Sequence, residues 1–493
     1  MLTNPNLIQT ANGAMANRST GSHCLNFFAV CGALRSAEEG VSRRLFARAY
    51  VENRDLAMRA LFYARDIREG LGERDVFRDI LRLLAQKRPQ SVRKNIRFVP
   101  EYGRWDDLLC LMGTPCEDDA VECIRAQLQR DVDALQGDAP VSLLAKWLPS
   151  VNTSSPQQRM LARLLCKHLG MTEKAYRRML SQFRTQIDVL EKRLCRRDYS
   201  FDYAKQPSGA MHRYRCAFLR NDFQRYTAFN EQVLLGEKQM HAGTLYPYEI
   251  IRSCLRREDA HLLPYRSDWT AFTPELSASL DASWRSLPDY GDRRNALAIV
   301  DGSYSMYSGG SPKPIEIALS LGIYFAEHNT GFFRDCFMSF SRTPRLIRLE
   351  GNSIADRALY CAGFNEAANT NLRAALLCIL DAAVENHLPQ EQLPETLYII
   401  SDMEFDAGVE KDKTLFHEIR DAFAKHGYRL PAIVYWNVNS RGEQFPVRRD
   451  ESGTVLVSGA SPSIFRMVIG QNTSPEQYMR ITLNSGRYLP ICA

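Results

Sequence analysis

The chain reads as two parts, an all-α region of helical repeats followed by an α/β region with a mostly parallel sheet. Three observations predict this. Apolar residues recur at three- and four-residue intervals from about residue 21 to 260, the spacing of amphipathic helices. From about residue 289, short apolar runs alternate with helical stretches, the pattern of strands buried on both faces. Between the two, the periodicity weakens. With 493 residues at 45% apolar composition, the chain can bury two sizeable cores. The expected division is a polar arm over 1–20, a HEAT-like helical region over 21–288 and a Rossmann-like α/β domain over 289–493.

The opening MLTNPNLIQTANGAMANRST lacks the charged-then-apolar order of a signal peptide and is expected to be a flexible arm. SRRLFARAYVENRDLAMRALFYARDIREG then sets Leu45, Phe46, Ala49, Leu56, Ala60, Leu61 and Tyr63 on helical stripes. ERDVFRDILRLLAQK, DDAVECIRAQLQRDVDALQ, SPQQRMLARLLCKHLG and TEKAYRRMLSQFRTQIDVLEKRL continue the pattern. Gly, Pro, Ser or Asn bounds each. Ser155-Pro156 and Thr172 mark two helix starts. Successive amphipathic helices of this length suggest stacked helix pairs. A segment richer in Pro, Ser and Gly follows, and its end at Leu287–Arg294 leads into the second part.

There NALAIVD, DCFMSFS, RLIRL, ETLYIISD, PAIVYWNVN and TVLVSG read as strands. PIEIALSLGIYFAEH, NLRAALLCILDAAVENH, KTLFHEIRDAFAKHG and SPSIFRMVIG read as helices. Directly after the first strand stands Asp301-Gly302-Ser303-Tyr304-Ser305. Ligands of open α/β sheets bind beyond the carboxyl ends of the strands. One Asp and two hydroxyls at i, i+2 and i+4 offer hard oxygen donors from one loop, which suits Mg²⁺ or another divalent cation such as Mn²⁺. Thr370 opens a later helix and Asp402 follows the strand ETLYII. A parallel sheet would bring both beside Asp301. The competing reading of Asp301 and the serines is a turn or helix cap. No Gly-x-Ser-x-Gly, phosphate loop or candidate general base accompanies them, so no enzyme is expected.

The net charge of +6 conceals an asymmetry. Lys and Arg exceed Asp and Glu by nine over residues 1–290 and fall short by three beyond. The basic density peaks between residues 174 and 225. Lys174, Arg177, Arg178, Arg184, Lys192, Arg193, Arg196, Arg197, Arg213 and Arg215 are the candidate RNA-binding set, with Arg220 and Arg225 beyond them. Tyr176, Tyr199, Tyr203, Tyr214 and Tyr226 are interleaved. Guanidinium forks suit phosphate oxygens and tyrosine faces can stack on bases. A solvated helix face with core tyrosines is the competing reading. Arg93, Lys94 and Arg97 form a smaller basic group. Thirteen scattered cysteines without a Cys-x-x-Cys pair fit reduced thiols in a cytoplasmic protein better than a disulfide framework. No apolar run approaches the ~20 residues a membrane span needs, so no membrane partner is expected.

Two resemblances add to this. Asp301, Ser303 and Ser305, with Thr370 and Asp402 in order, resemble the metal-ion-dependent adhesion site of von Willebrand factor A (vWA) domains; Tyr304 stands where that loop usually has glycine. The resemblance implies that Asp301, Ser303, Ser305 and Thr370 hold the ion directly or through water, with Asp402 in the first or second coordination sphere. The run Arg65–Arg74 (RDIREGLGER), with PEYGRWDD at Pro100–Asp107 and YRRML at Tyr176–Leu180, resembles an uncharacterised family, domain of unknown function 2828. That family couples a TROVE-like helical domain to a C-terminal vWA domain. At greater distance the chain is similar to the Ro ribonucleoprotein, which binds noncoding RNA. The resemblances imply a noncatalytic scaffold for noncoding or structured RNA. The alternative is a metal-dependent module in which an acidic side chain of a protein partner completes the ion's coordination. Read on its own residues, the Arg65–Arg74 run is structural. Gly70 and Gly72 permit a tight turn, Trp105 belongs in the core, and the charged residues pair on helix surfaces.

Overall fold

The structure, a computed structural model, describes residues 6–493 apart from 138, 242–244, 256–272, 290–294, 309, 331–332, 341–343, 365–370, 406–413, 441–442 and 467–472. The first part is helical, from His23–Val30 through Pro247–Leu255 to Pro274–Arg285. Successive helices pack on their neighbours. The expected starts hold, because Ser155 Oγ accepts from the Gln158 amide and Thr172 Oγ1 from the Ala175 amide, each satisfying an amide with no partner inside its helix.

The arm expected at 1–20 is, from residue 7, an ordered hairpin. β1 (Leu7–Gln9) pairs antiparallel with β2 (Met15–Asn17). Ala14 and Ala16 are buried, and Asn17 exchanges backbone hydrogen bonds with Phe445 in the C-terminal part. Its polar composition misled because the Thr10, Asn12 and Asn17 side chains donate to carbonyls of the C-terminal part instead of to water.

The second part contains a six-stranded sheet of β3 (Ala296–Asp301), β4 (Cys336–Phe340), β5 (Arg345–Arg348), β6 (Thr396–Ser401), β7 (Ala432–Asn437) and β8 (Thr454–Ser458). Their spatial order is β5-β4-β3-β6-β7-β8. All neighbours are parallel except the edge pair β4–β5. β3, β6 and β7 are buried along their whole length, as strands covered on both faces must be. The order reverses between β3 and β6. A crevice at the carboxyl end of such a reversal is where this class of sheet holds its ligand, and Asp301 and Ser401 are the last residues of those two strands.

The core departs from the expected two. One continuous apolar cluster runs from Ala14 through the helices and the sheet to Ile491. Two contacts explain this. Helix His23–Val30 ends against β8, where a Cβ on Gly32 would lie 2.7 Å from the Ser458 carbonyl. Helix Pro314–His328 is sandwiched between strands and the helices Pro247–Leu255 and Ile354–Ala362, and is buried from Pro314 to Ala326. A second, smaller cluster gathers Leu190, Phe201, Tyr203, Phe218, Tyr226 and Phe229. Among the described residues no helix is long and apolar enough to cross a membrane.

Candidate nucleic-acid interface and metal loop

The Arg65–Arg74 run lies at a junction. Arg65 is fully buried at the end of helix Arg54–Arg65, and its Nε donates to Asp107 Oδ2 at 2.8 Å. The other Asp107 oxygen accepts from Arg78 Nε at 2.6 Å, and Arg78 also reaches Asp106 at 2.7 Å. A Cβ at Gly103 would collide with both Asp107 and Arg65, so PEYGRWDD needs its glycine. Buried Asp66 accepts from Arg487 Nη2 at 2.8 Å and from the Tyr488 hydroxyl at 3.0 Å, fastening the last residues to the first helices. Gly72 has φ +71 and lies against the Tyr246 hydroxyl. These contacts support a structural role for the motif, but Arg65, Asp66 and Glu73 are buried rather than paired on helix surfaces, and Trp105, expected in the core, is half-buried.

Beside the junction opens a cavity of about 1660 Å³, walled by residues between Ile67 and Ser253. Six of the ten predicted basic residues line it: Lys174, Arg177, Arg178, Arg184, Lys192 and Arg213. Arg68, Arg104, Lys146 and Arg252 join them, and among the described residues Glu191 and Glu249 are the only acids in its wall. Helix Glu173–Gln186 explains the arrangement. Tyr176, Leu180 and Phe183 face the core, and a 3.6-residue repeat turns Lys174, Arg177 and Arg178 outward. These three are exposed. Arg184 is different. Its guanidinium donates to the carbonyls of Ala145 (2.8 Å) and Leu148 (2.7 Å) and to Ser150 Oγ (2.7 Å), which makes it a tie between helices. His212, buried in the wall, is pushed down to about 4 by desolvation and the Arg215 charge, so it is neutral at pH 7.

Arg193, Arg196, Arg197 and Arg215 do not line the cavity. Arg193 is paired with Asp188 at 2.6 Å and Asp198 at 3.2 Å. Arg196 and Arg197 are exposed at a turn where Arg197 has φ +55. Arg215 donates to the His212 carbonyl. The tyrosines are mostly core. Tyr176, Tyr203 and Tyr226 are buried, their hydroxyls bonded to the Pro149 carbonyl, Asp222 and Ser279. Arg93 pairs with Asp119, Lys94 donates to the Ala493 carbonyl, and Arg97 lies over Phe98. The aromatic faces on the cavity are instead Trp105 and Trp147, both half-buried, with the Arg104 guanidinium 4.3 Å from the Trp147 ring centre. Each tryptophan directly follows a cation, Arg104-Trp105 and Lys146-Trp147. That adjacency was the signal available for them.

At the sheet's switch point, Asp301 is fully buried. Its Oδ1 accepts from the Ser303 amide at 2.8 Å and its Oδ2 from Ser401 Oγ at 2.6 Å. The Ser303 and Ser305 hydroxyls are 3.0 Å apart. Asp402, also buried, accepts at Oδ1 from the Glu404 amide at 3.3 Å. Asp301 is pushed up to about 7 by burial and then by the Asp402 charge. Two buried carboxylates that repel one another beside two hydroxyls make a hard-oxygen donor set, and a divalent cation would relieve the repulsion. Among the described residues no three His, Cys, Asp or Glu side chains converge, so any ion here relies on hydroxyls and water as well. Thr370, expected in this set, lies outside the described residues.

Fold and sites together define a two-part protein, a helical array with a basic cavity joined to a doubly wound α/β domain. The family model "Domain of unknown function (DUF2828)" matches residues 10–124 and 118–287. That is more than half of the chain, and the chain belongs to this family, the one its Arg65–Arg74 run resembles. A second model, "Domain of unknown function (DUF7788)", matches residues 295–485. The uncharacterized protein L728 of Acanthamoeba polyphaga mimivirus is 26% identical over 505 residues, covering 94% of this chain and 85% of that protein. Among solved structures, the Ro (RSR) protein of Deinococcus radiodurans is similar over 91% of this chain and 99% of that one, at 14% identity and a TM-score of 0.42.

Proposed function

We propose that this protein is a noncatalytic RNA-binding scaffold whose helical region takes the phosphate backbone of a noncoding or structured RNA into its basic cavity. The observation that carries this reading is the cavity wall, where among the described residues ten Lys and Arg side chains meet two glutamates. Such a surplus concentrates a polyanion, and affinity then comes largely from released counterions. Trp105 and Trp147 offer faces for unpaired bases. The test is RNA binding by the full chain, with single-stranded and structured RNAs, at two salt concentrations. Binding at ~50 mM salt that weakens by two or more decades at ~200 mM is expected. No binding of any RNA at the lower salt removes the reading.

We infer a second role for the α/β domain, read as vWA-type, in which Asp301, Ser303, Ser305, Thr370 and Asp402 hold Mg²⁺ or Mn²⁺. The buried carboxylate pair supports it. A bound ion would offer a coordination position to a carboxylate of a protein partner. Tyr304, exposed between the two serines, would flank that partner. Mn²⁺ titration checks this, with binding expected in the native chain and lost in Asp301→Ala.

A further inference from the structure

We propose that the N-terminal hairpin is a strut of the metal loop, so that cation affinity at Asp301 and Asp402 depends on residues 10–14. The proposal rests on the metal reading above. The chain turns sharply after β6. Met403, buried, has φ +66, a conformation a non-glycine residue holds only when its surroundings impose it. The Met403 amide donates to Ser401 Oγ at 3.0 Å and the Glu404 amide to Asp402 Oδ1 at 3.3 Å. The direction of the Asp402 carboxylate is therefore tied to the path of residues 403 and 404.

That path is held from almost four hundred residues away. Asn12 Nδ2 donates to the Glu404 carbonyl at 2.7 Å, and Thr10 Oγ1 to the Phe405 carbonyl at 2.7 Å. The Ala11 amide donates to Glu404 Oε2 at 2.9 Å and the Ala14 amide to the Phe405 carbonyl at 3.3 Å. Thr10, Glu404 and Phe405 are buried, so these bonds exchange little with water. The hairpin has its own anchor in the paired backbones of Asn17 and Phe445. It can therefore hold the loop rather than follow it. Groups that orient a ligand side chain tune metal affinity almost as strongly as the ligands do. By linkage, an ion that fixes the loop must also tighten the hairpin's grip.

The experiment titrates Mn²⁺ into the full chain and follows free Mn²⁺ by electron paramagnetic resonance. The double variant Thr10→Val/Asn12→Ala removes two donors to the loop and touches no oxygen assigned to the ion. Its Mn²⁺ Kd should rise about tenfold with an unchanged circular dichroism spectrum. In the native chain, saturating Mn²⁺ should slow hydrogen exchange at the Ala11 and Ala14 amides, and this arm decides the matter should the variant not fold. Native binding, lost in Asp301→Ala but unchanged in the double variant, with exchange at Ala11 and Ala14 unaltered, overturns the hairpin's role and leaves the metal reading standing. Absence of native binding overturns both.

Discussion

Arg65 and Arg177 stand in the same helical region, in two family motifs, and do opposite things. Arg65 is 2% exposed, its guanidinium locked to Asp107 beneath Gly103. Arg177 is exposed on the wall of a cavity whose charge is almost all of one sign. The first lies at a junction of helices and C-terminal tail, where Arg65, Arg78 and Arg487 each meet a buried carboxylate. The second lies where Lys174, Arg177 and Arg178 are gathered and left facing water. Clustering like charges costs stability, and a fold retains such a cluster most readily where an oppositely charged ligand offsets the repulsion. Partnered arginine is therefore structure in this molecule, and unpartnered arginine around a concavity is the candidate interface.

The comparison predicts its largest effect at the junction. Arg65→Ala leaves the Asp107 carboxylate buried with one cation fewer, and removing one partner of a buried pair costs about 3–5 kcal/mol. Chemical denaturation should show that loss. A loss under ~1 kcal/mol, the range of a surface pair, would mean that Arg78 alone suffices for Asp107 and that Arg65 is not part of the frame.

At the cavity the expected effect is on binding and not on folding. Lys174→Ala/Arg177→Ala/Arg178→Ala removes three exposed cations, and surface changes of this kind usually stay within ~0.5 kcal/mol each. RNA affinity should fall, and the slope of log K against log salt should flatten by about 2–3 if each side chain meets one phosphate. An unchanged slope would show that RNA avoids this wall. Trp147→Ala should lower affinity without altering the slope, because stacking releases no counterions.

What the chain disclosed before folding follows the same division. The sheet, the Asp301 loop and Asp402 were readable because each depends on local pattern, an apolar strand ending in oxygen donors. Lys174, Arg177 and Arg178 were readable as charge density. Arg68, Arg104 and Arg252 were not, since they enter the cavity from the turn after helix Arg54–Arg65, the loop before Trp105 and helix Pro247–Leu255, and none stands in the basic stretch. The tyrosines stayed open between core and stacking because periodicity alone does not separate the two; burial of Tyr176, Tyr203 and Tyr226 decided it for those three. The hairpin's grip on Glu404 and Phe405 joins the Thr10 and Asn12 side chains and the Ala14 amide to backbone carbonyls almost four hundred residues away, and a carbonyl acceptor leaves no mark in a sequence.

The smallest expected effect is the most discriminating. Arg193 and Arg197 sit within the same basic stretch as Arg177 and were candidates on the same grounds. Arg193 already carries Asp188 and Asp198, and neither arginine lines the cavity. A phosphate at Arg193 would have to displace a carboxylate and then lie beside it, which cancels most of the gain. Arg193→Ala/Arg197→Ala should thus leave RNA affinity within about twofold and the salt slope unchanged to within ~0.5, against the 2–3 expected of the cavity triple variant. If the two variants behave alike, affinity follows total charge along residues 174–225 and the concavity confers nothing. If only the triple variant responds, geometry and not composition selects which arginines meet the nucleic acid.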